Sequence, residues 1–395
     1  MRVSSFFAGA ALLISTAFVQ PVLAQSCGGG FNNFVSGLKR EARNSGHDRV
    51  TVDRFFANVR QDPATLRADR SQGVFQKDFL DFSQRLISQG RIDNGRRNAQ
   101  RYDAVFDRME REYGVSRGVL LAFWAFETDF GAVQGDFNTL NSLVTLAHDC
   151  RRPELFRPQV FAALELYETG NFDPQRTKGA WAGEIGMVQM LPEDIIRNGI
   201  DGDGDGQVSL KTSAPDALLS GANMLRSLGW RAGEPWLQEI IVPSDLDWAK
   251  TGLNHTFSVR DWARMGVQPR EGNLGATNLQ ASVLLPMGRN GPAFLAYPNF
   301  HVYFEWNKSF VYVTTAAYFA NRLEGATRYN AGNPTRALSG NQMENLQRAL
   351  QNRGHDVGGV DGILGAKTRA AVQAEQIRLG LPADAWPTVD LLNRL

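Results

Sequence analysis

The chain has 395 residues, 43% hydrophobic and 21% charged, an ordinary globular composition that at this length suits two or three domains rather than one. Forty-two basic residues stand against 41 acidic ones, a formal net charge of +1, and no long block of like charge occurs. That balance argues against a nucleic-acid partner and leaves partners to be read from local sites.

Arg2 precedes an apolar run from Phe6 to Val19 that is too short to span a bilayer. It reads as a secretory leader, with Val22 and Ala24 at the small positions before a cleavage site, residues 1–24 removed and the mature start near Gln25. No later stretch is long and apolar enough for a transmembrane helix, so the expected location is the periplasm. Cys27 and Cys150 are the only cysteines, and an oxidising compartment favours a disulfide between them. Lipid attachment to Cys27 is the rival, but leucine four residues before the cysteine does not match the usual lipoprotein signal.

From Phe31 to Tyr113 the pattern is helical, with Val105, Phe106, Met109 and Tyr113 at three- and four-residue steps before a stop at Gly114. Ser116 is the expected cap of a helix through Val119, Leu120, Phe123 and Trp124 to Glu127, ending at Gly131. Helical pattern continues from Asp136 to Gly170, and from Trp181 to Leu228 two helices flank a loop rich in aspartate and glycine. Between Asp245 and Tyr312, apolar runs at 281–285 and 300–304 alternate with glycine and proline turns, which predicts a small sheet inserted in a helical domain. A helix is predicted over 310–323. Residues 325–337 form a polar linker with few expected contacts to either side, and residues 338–395 a three-helix module, its first helix capped by Asn341.

Glu127 shares the apolar face of Leu120, Phe123 and Trp124 on a helix of 3.6 residues per turn. Desolvation there raises a carboxyl pKa, as a general acid working near neutral pH requires, although a core carboxylate satisfied by an arginine gives the same pattern. Asp129, two residues on, points elsewhere and is a poor second acid. The segment from Gly179 to Pro192 combines close-approach glycines with Trp181, which can stack on a sugar face, and Gln189, which can donate and accept hydrogen bonds; Glu184 is a distant second carboxylate. Asp201, Asp203, Asp205, Gly206 and Ser209 reproduce positions 1, 3, 5, 6 and 9 of a calcium loop, but Thr212 stands where a bidentate glutamate belongs. A plain turn, with Asp216 capping the next helix, is the competing reading.

The stretch Trp124-Ala125-Phe126-Glu127-Thr128-Asp129-Phe130-Gly131 and the segment from Gly179 to Pro192 resemble the two signature motifs of the B-type membrane-bound lytic murein transglycosylases. Arg151-Arg152 and Asn307 with Tyr312 match further positions of that family, and the tail resembles the common peptidoglycan-binding module, including its Asp361-Gly362 turn. The resemblance implies an α+β, mainly α architecture, a lysozyme-like catalytic domain over 25–324 with a small inserted sheet, and a three-helix binding domain. It implies that Glu127 is sole acid and base and that Gln189, Arg151, Arg152, Trp181, Asn307 and Tyr312 bind substrate. The implied reaction cleaves the β-1,4 bond between N-acetylmuramic acid and N-acetylglucosamine in peptidoglycan glycan strands, leaving 1,6-anhydromuramoyl ends without a cofactor. Hydrolysis of the same bond, or a catalytically dead wall-binding scaffold, are the rivals. By the same resemblance Asp216 closes a longer, structural calcium loop with Asp201, Asp203 and Asp205. The chain departs from the family pattern at Ala180, Glu184 and Trp306, where serine, a small residue and tyrosine are usual.

Overall fold

The computed structural model describes residues 27–71 and 77–395; the leader read over residues 1–24 lies outside that range. The chain opens with α1 (Phe31–Asn44), α2 (Arg49–Phe55) and α3 (Pro63–Arg70). Asp48 and Asp62 start the second and third by accepting the N–H of Thr51 and Ala64, amides that the first turn leaves unpaired. Then come α4 (Phe79–Leu86), α5 (Gln89–Arg101) and α6 (Asp103–Tyr113), which ends on Gly114 at a φ of 68°.

α7 (Arg117–Thr128) is apolar on every side from Val119 to Ala125, and such a helix is stable only when surrounded. It ends at Thr128, short of Gly131, because Asp129 and Phe130 both turn left-handed, with φ values of 51° and 60°. Ser116 precedes it without capping it: the hydroxyl donates instead to the Glu324 carboxylate, which also accepts the Gly118 N–H.

β1 (Phe137–Asn138) pairs with β2 (Lys178–Gly179), on either side of α8 (Thr139–His148) and α9 (Pro153–Glu168). These two helices pack on each other, on α1–α3 and on α10 (Pro192–Asn198), around Leu38, Phe55, Leu143, Phe156 and Val188. Cys27 and Cys150 are joined by a disulfide, Cα to Cα 5.1 Å, which fastens the start of α1 to the turn between α8 and α9. α11 (Ala214–Ser227) then lies along α6 and α10.

The inserted sheet is antiparallel throughout. Its strands β3 (Leu237–Ile241), β4 (Phe257–Ser258), β5 (Gln268–Pro269), β6 (Gln280–Leu284) and β7 (Ala293–Ala296) lie in the order β4-β6-β7-β3-β5. Alternate residues face opposite ways, so Leu284 and Phe294 enter the helical core while Val283 and Leu295 pack on Trp262 of α12 (Val259–Arg264). Covering both faces explains why β7 reads as an unbroken apolar run and why every residue of β6 after Gln280 is buried. The sheet begins before Asp245, at Leu237, and residues 300–304 are helix rather than strand: they belong to α13 (Pro298–Trp306). Pro298 sets the first turn, and Phe300, Tyr303 and Phe304 recur at helical spacing, a period too short to see in five residues. α14 (Phe310–Leu323) closes the domain alongside α7.

α15 (Gly340–Asn352), α16 (Ala366–Arg378) and α17 (Val389–Arg394) form the tail around Leu346, Leu350 and Val372. Ser339, not Asn341, caps the first of them, in a reciprocal box with Gln342. The tail is firmly docked, contrary to the expectation of few shared contacts. Buried Arg369 donates to the Pro286 carbonyl at 2.6 Å and lies 4.5 Å over the Phe310 ring; Gln373 donates to the Thr251 carbonyl; Asp384 pairs with Arg289 at 2.9 Å. The linker is strapped down as well, since Tyr329 bonds Ser83 and the Asn330 and Asn333 amides bond Glu239 and the Asn290 carbonyl.

Candidate active site

The last turn of α7 delivers Glu127 to the floor of an open cleft of about 770 Å³. Thr128 fixes that turn by donating to the Met187 carbonyl at 2.7 Å and accepting the Gly131 N–H. Glu127 Oε1 accepts the Trp306 indole N–H at 3.1 Å and the Tyr312 hydroxyl, both from the region of α13 and α14. Burial raises the Glu127 carboxyl above the ordinary carboxylate range, against the opposing pull of the Tyr312 and Trp306 hydrogen bonds. Tyr312, buried and beside that carboxyl, is held well above its own ordinary value and stays a donor.

One wall of the cleft is the segment from Ala180 to Leu191, which folds back on itself through the Ile185–Met190 bridge. Gly183 and Gly186 adopt φ values of 91° and 81°, and a Cβ on either would meet Leu143 at 2.2 Å or Leu210 at 2.5 Å, so this turn admits no other residue without displacement. It presents Trp181 and Gln189 to the cavity, with Gln189 Nε2 anchored on the Gly186 carbonyl at 2.8 Å. Glu184 lines the same cavity: burial, reinforced by the negative charge of Glu127, pushes its carboxyl up to about 7, and its Oε2 is buried with no hydrogen-bond partner.

Arg151 and Arg152 both grip the buried carboxylate of Asp69, Arg151 at 2.5 Å. Arg152 lines the cleft and keeps a buried, unpartnered Nε there; Arg151 does not line it and holds Asp69 in place. Asn307 lines the cleft with its Oδ1 bound to the Ser309 N–H, whereas Tyr312 lies behind Glu127 and reaches the cavity only through it. Asp129 is turned away and pairs with Arg91 at 3.0 Å.

Asp201, Asp203 and Asp205 bring carboxylate oxygens within 4.8 Å of one another. Asp216 is not part of that group: fully buried, it accepts the N–H groups of Gly202 and Ser209 and the Ser213 hydroxyl, and so holds the loop together from inside. Sequence reasoning passed over Trp306 as a departure and did not see Asp69. Neither carries a local signal, because Trp306 meets Glu127 across 179 residues and Asp69 sits in a polar helix.

The family described as the transglycosylase SLT domain matches residues 30–321. The chain belongs to that family. Residues 339–395 match the family described as putative peptidoglycan binding domain. SltB3 from Pseudomonas aeruginosa, solved in complex with NAG-NAM-pentapeptide, is 36% identical, with a TM-score of 0.85 over 93% of this chain and 100% of that one. SltB3 has also been solved with NAG-anhNAM-pentapeptide. The Escherichia coli lytic transglycosylase Slt35 in complex with calcium is 25% identical, with a TM-score of 0.65 over 76% of this chain and 96% of that one. Membrane-bound lytic murein transglycosylase B of Escherichia coli is 27% identical over 233 residues, 58% of this chain and 63% of that protein, so the chain spans less than two thirds of this curated relative. The family and the structural neighbours make the fold the lysozyme-like, mainly helical one, with a helical peptidoglycan-binding domain at its end. Among the described residues no helix is long and apolar enough to cross a membrane.

Proposed function

We propose that the chain is a lytic transglycosylase that cleaves the β-1,4 bond between N-acetylmuramic acid and N-acetylglucosamine in peptidoglycan. The observation that carries this reading is Glu127, a carboxyl pushed toward its protonated form by burial at the floor of an open cleft and gripped at one oxygen by Trp306 and Tyr312. With Oε1 so held, Oε2 is free to handle the proton. Protonated Glu127 donates to the bridging oxygen as the bond to the muramoyl C1 breaks. The resulting carboxylate then takes the proton of the C6 hydroxyl as that oxygen bonds C1, closing a 1,6-anhydro ring and restoring the acid. No water is consumed. The two donors stabilise the carboxylate at the midpoint, where the substrate's acetamido group supports the positive centre. The relative solved with an anhydro-muramoyl ligand supports the same product class.

Trp181 offers a stacking face for a sugar, Gln189 and Asn307 offer polar contacts, and Arg152 offers a cation for a lactyl or peptide carboxylate. Arg151 acts through Asp69. The tail supplies wall binding. The chain is exported to the periplasm with residues 1–24 removed. The Asp201, Asp203 and Asp205 oxygens suit a hard cation, and calcium there braces the loop ahead of α11 with no part in proton transfer; the calcium complex of the Slt35 relative supports that assignment.

Glu184 is the one observation favouring hydrolysis instead, since a second buried carboxyl in the cleft is a base that water could use. Mass spectrometry of digested peptidoglycan decides between the two. Anhydro ends are expected, and reducing ends heavier by one water would establish the hydrolase.

A further inference from the structure

A second cavity, of about 370 Å³, lies between α4, the C-terminal half of α14 and residues 328–331 of the linker, and shares no lining residue with the catalytic cleft. Its polar wall is preassembled: Tyr329 and Ser83 share a hydrogen bond of 2.8 Å, and Tyr318 accepts the Tyr329 N–H at 2.9 Å while donating to the Thr327 carbonyl. Two guanidinium groups, Arg322 from α14 and Arg328 from the linker, line the same space.

Among the described residues neither arginine has a carboxylate or hydrogen-bond partner, and Arg322 Nε is buried with nothing to donate to. Nearby, Arg270 shows the ordinary solution, paired to Glu239 at 2.6 Å with a further bond to the Arg328 carbonyl. A buried N–H left without an acceptor, as at Arg322 Nε, is unfavourable, and with the exposed, unpaired Arg328 beside it the cavity offers two guanidinium groups to an acceptor-only group from outside. The cavity is larger than a lone ion needs. Ile87, Ala331 and the two tyrosine rings give it apolar surface beside the charges, which suits a carboxylate on a short, small-side-chain peptide.

We propose that this cavity is a second binding site for the carboxylates of a peptidoglycan peptide stem, separate from the site where the glycan is cut. The proposal rests on the peptidoglycan reading above. Because residues 328–331 form one wall, a bound stem also braces the linker that leads to the tail domain.

The test is calorimetric titration of the full chain with a soluble pentapeptide stem carrying no sugar, with the same peptide amidated at its carboxylates, and with inorganic phosphate. The free-acid peptide is expected to bind at least tenfold more tightly than the amidated one, and Arg322→Gln and Arg328→Gln each to weaken it at least tenfold. Arg328 is exposed and unpaired, so its variant keeps the fold. Cleavage of a stemless glycan should be unchanged in both variants. Equal peptide affinity in wild type and variants overturns the proposal, as does phosphate binding as tightly as the peptide. Stem binding lost in the variants, from a chain that cuts no glycan, upholds the pocket and sinks the transglycosylase reading instead.

Discussion

Glu184→Gln keeps the shape of the cleft wall and removes one ionisable group. In the folded chain burial and the Glu127 charge push the Glu184 carboxyl from 4.5 up to about 7. The side chain is nearly enclosed, so the shift converts with little solvent screening to about 3 kcal/mol, at roughly 1.4 kcal/mol per unit. The sign follows from linkage: below about pH 4.5 the group is protonated whether folded or unfolded, and between there and about pH 7 the folded state alone retains the proton. Stability is therefore present at low pH and is lost as pH rises through 7. The glutamine variant lacks this loss, so the two proteins should melt alike at pH 4. At pH 8 the variant should be more stable by about 3 kcal/mol, on the order of 5–10 °C in Tm for a domain of this size. Titrating groups that do not interact with Glu184 are common to both proteins and cancel in the difference, whereas the repulsion between Glu127 and Glu184 is part of the difference predicted. Parallel Tm curves between pH 4 and pH 8 would refute the argument that Glu184 is a desolvated carboxyl.

Glu127→Gln should lower cleavage by roughly 10²–10⁴-fold with peptidoglycan binding retained, and the wild-type rate should fall as pH rises through the raised Glu127 value; binding lost together with rate would point to a structural role. Tyr312→Phe removes a hydrogen bond to a charged group worth about 1.5–3 kcal/mol, so kcat should drop about 10–100-fold with KM little changed. Arg369→Ala leaves the Leu285 and Pro286 carbonyls unpaired where the tail docks on the catalytic domain and should lower stability by about 3 kcal/mol, read by denaturant unfolding. Millimolar calcium should raise the Tm relative to chelator, and Asp203→Ala should abolish the rise without changing the rate.

Much of the catalytic site was legible because its logic is local. A carboxylate on the face of Leu120, Phe123 and Trp124 is anomalous on sight, and the glycines at 183 and 186 announce a tight turn. The partners of Glu127 were less so. Tyr312 was named as a substrate contact and proves to stand behind the acid, and Trp306 was set aside, because their positions depend on how α13 and α14 meet the end of α7. Asp216 was read as closing a cation loop, and it lies apart from the Asp201, Asp203 and Asp205 group, buried and accepting four internal donors. The linker misled for a different reason. Its polarity predicted freedom, but hydrogen bonds from Tyr329, Asn330 and Asn333 to distant residues hold it, and no periodicity reports those.

The central claim is that one carboxyl moves a proton from the C6 hydroxyl to the leaving oxygen and that water takes no part. Digestion of peptidoglycan by the full chain in water enriched in oxygen-18, with mass analysis of the newly formed muramoyl ends, tests it directly. The account predicts anhydro ends carrying no label. Heavy oxygen at C1 of those ends would contradict it.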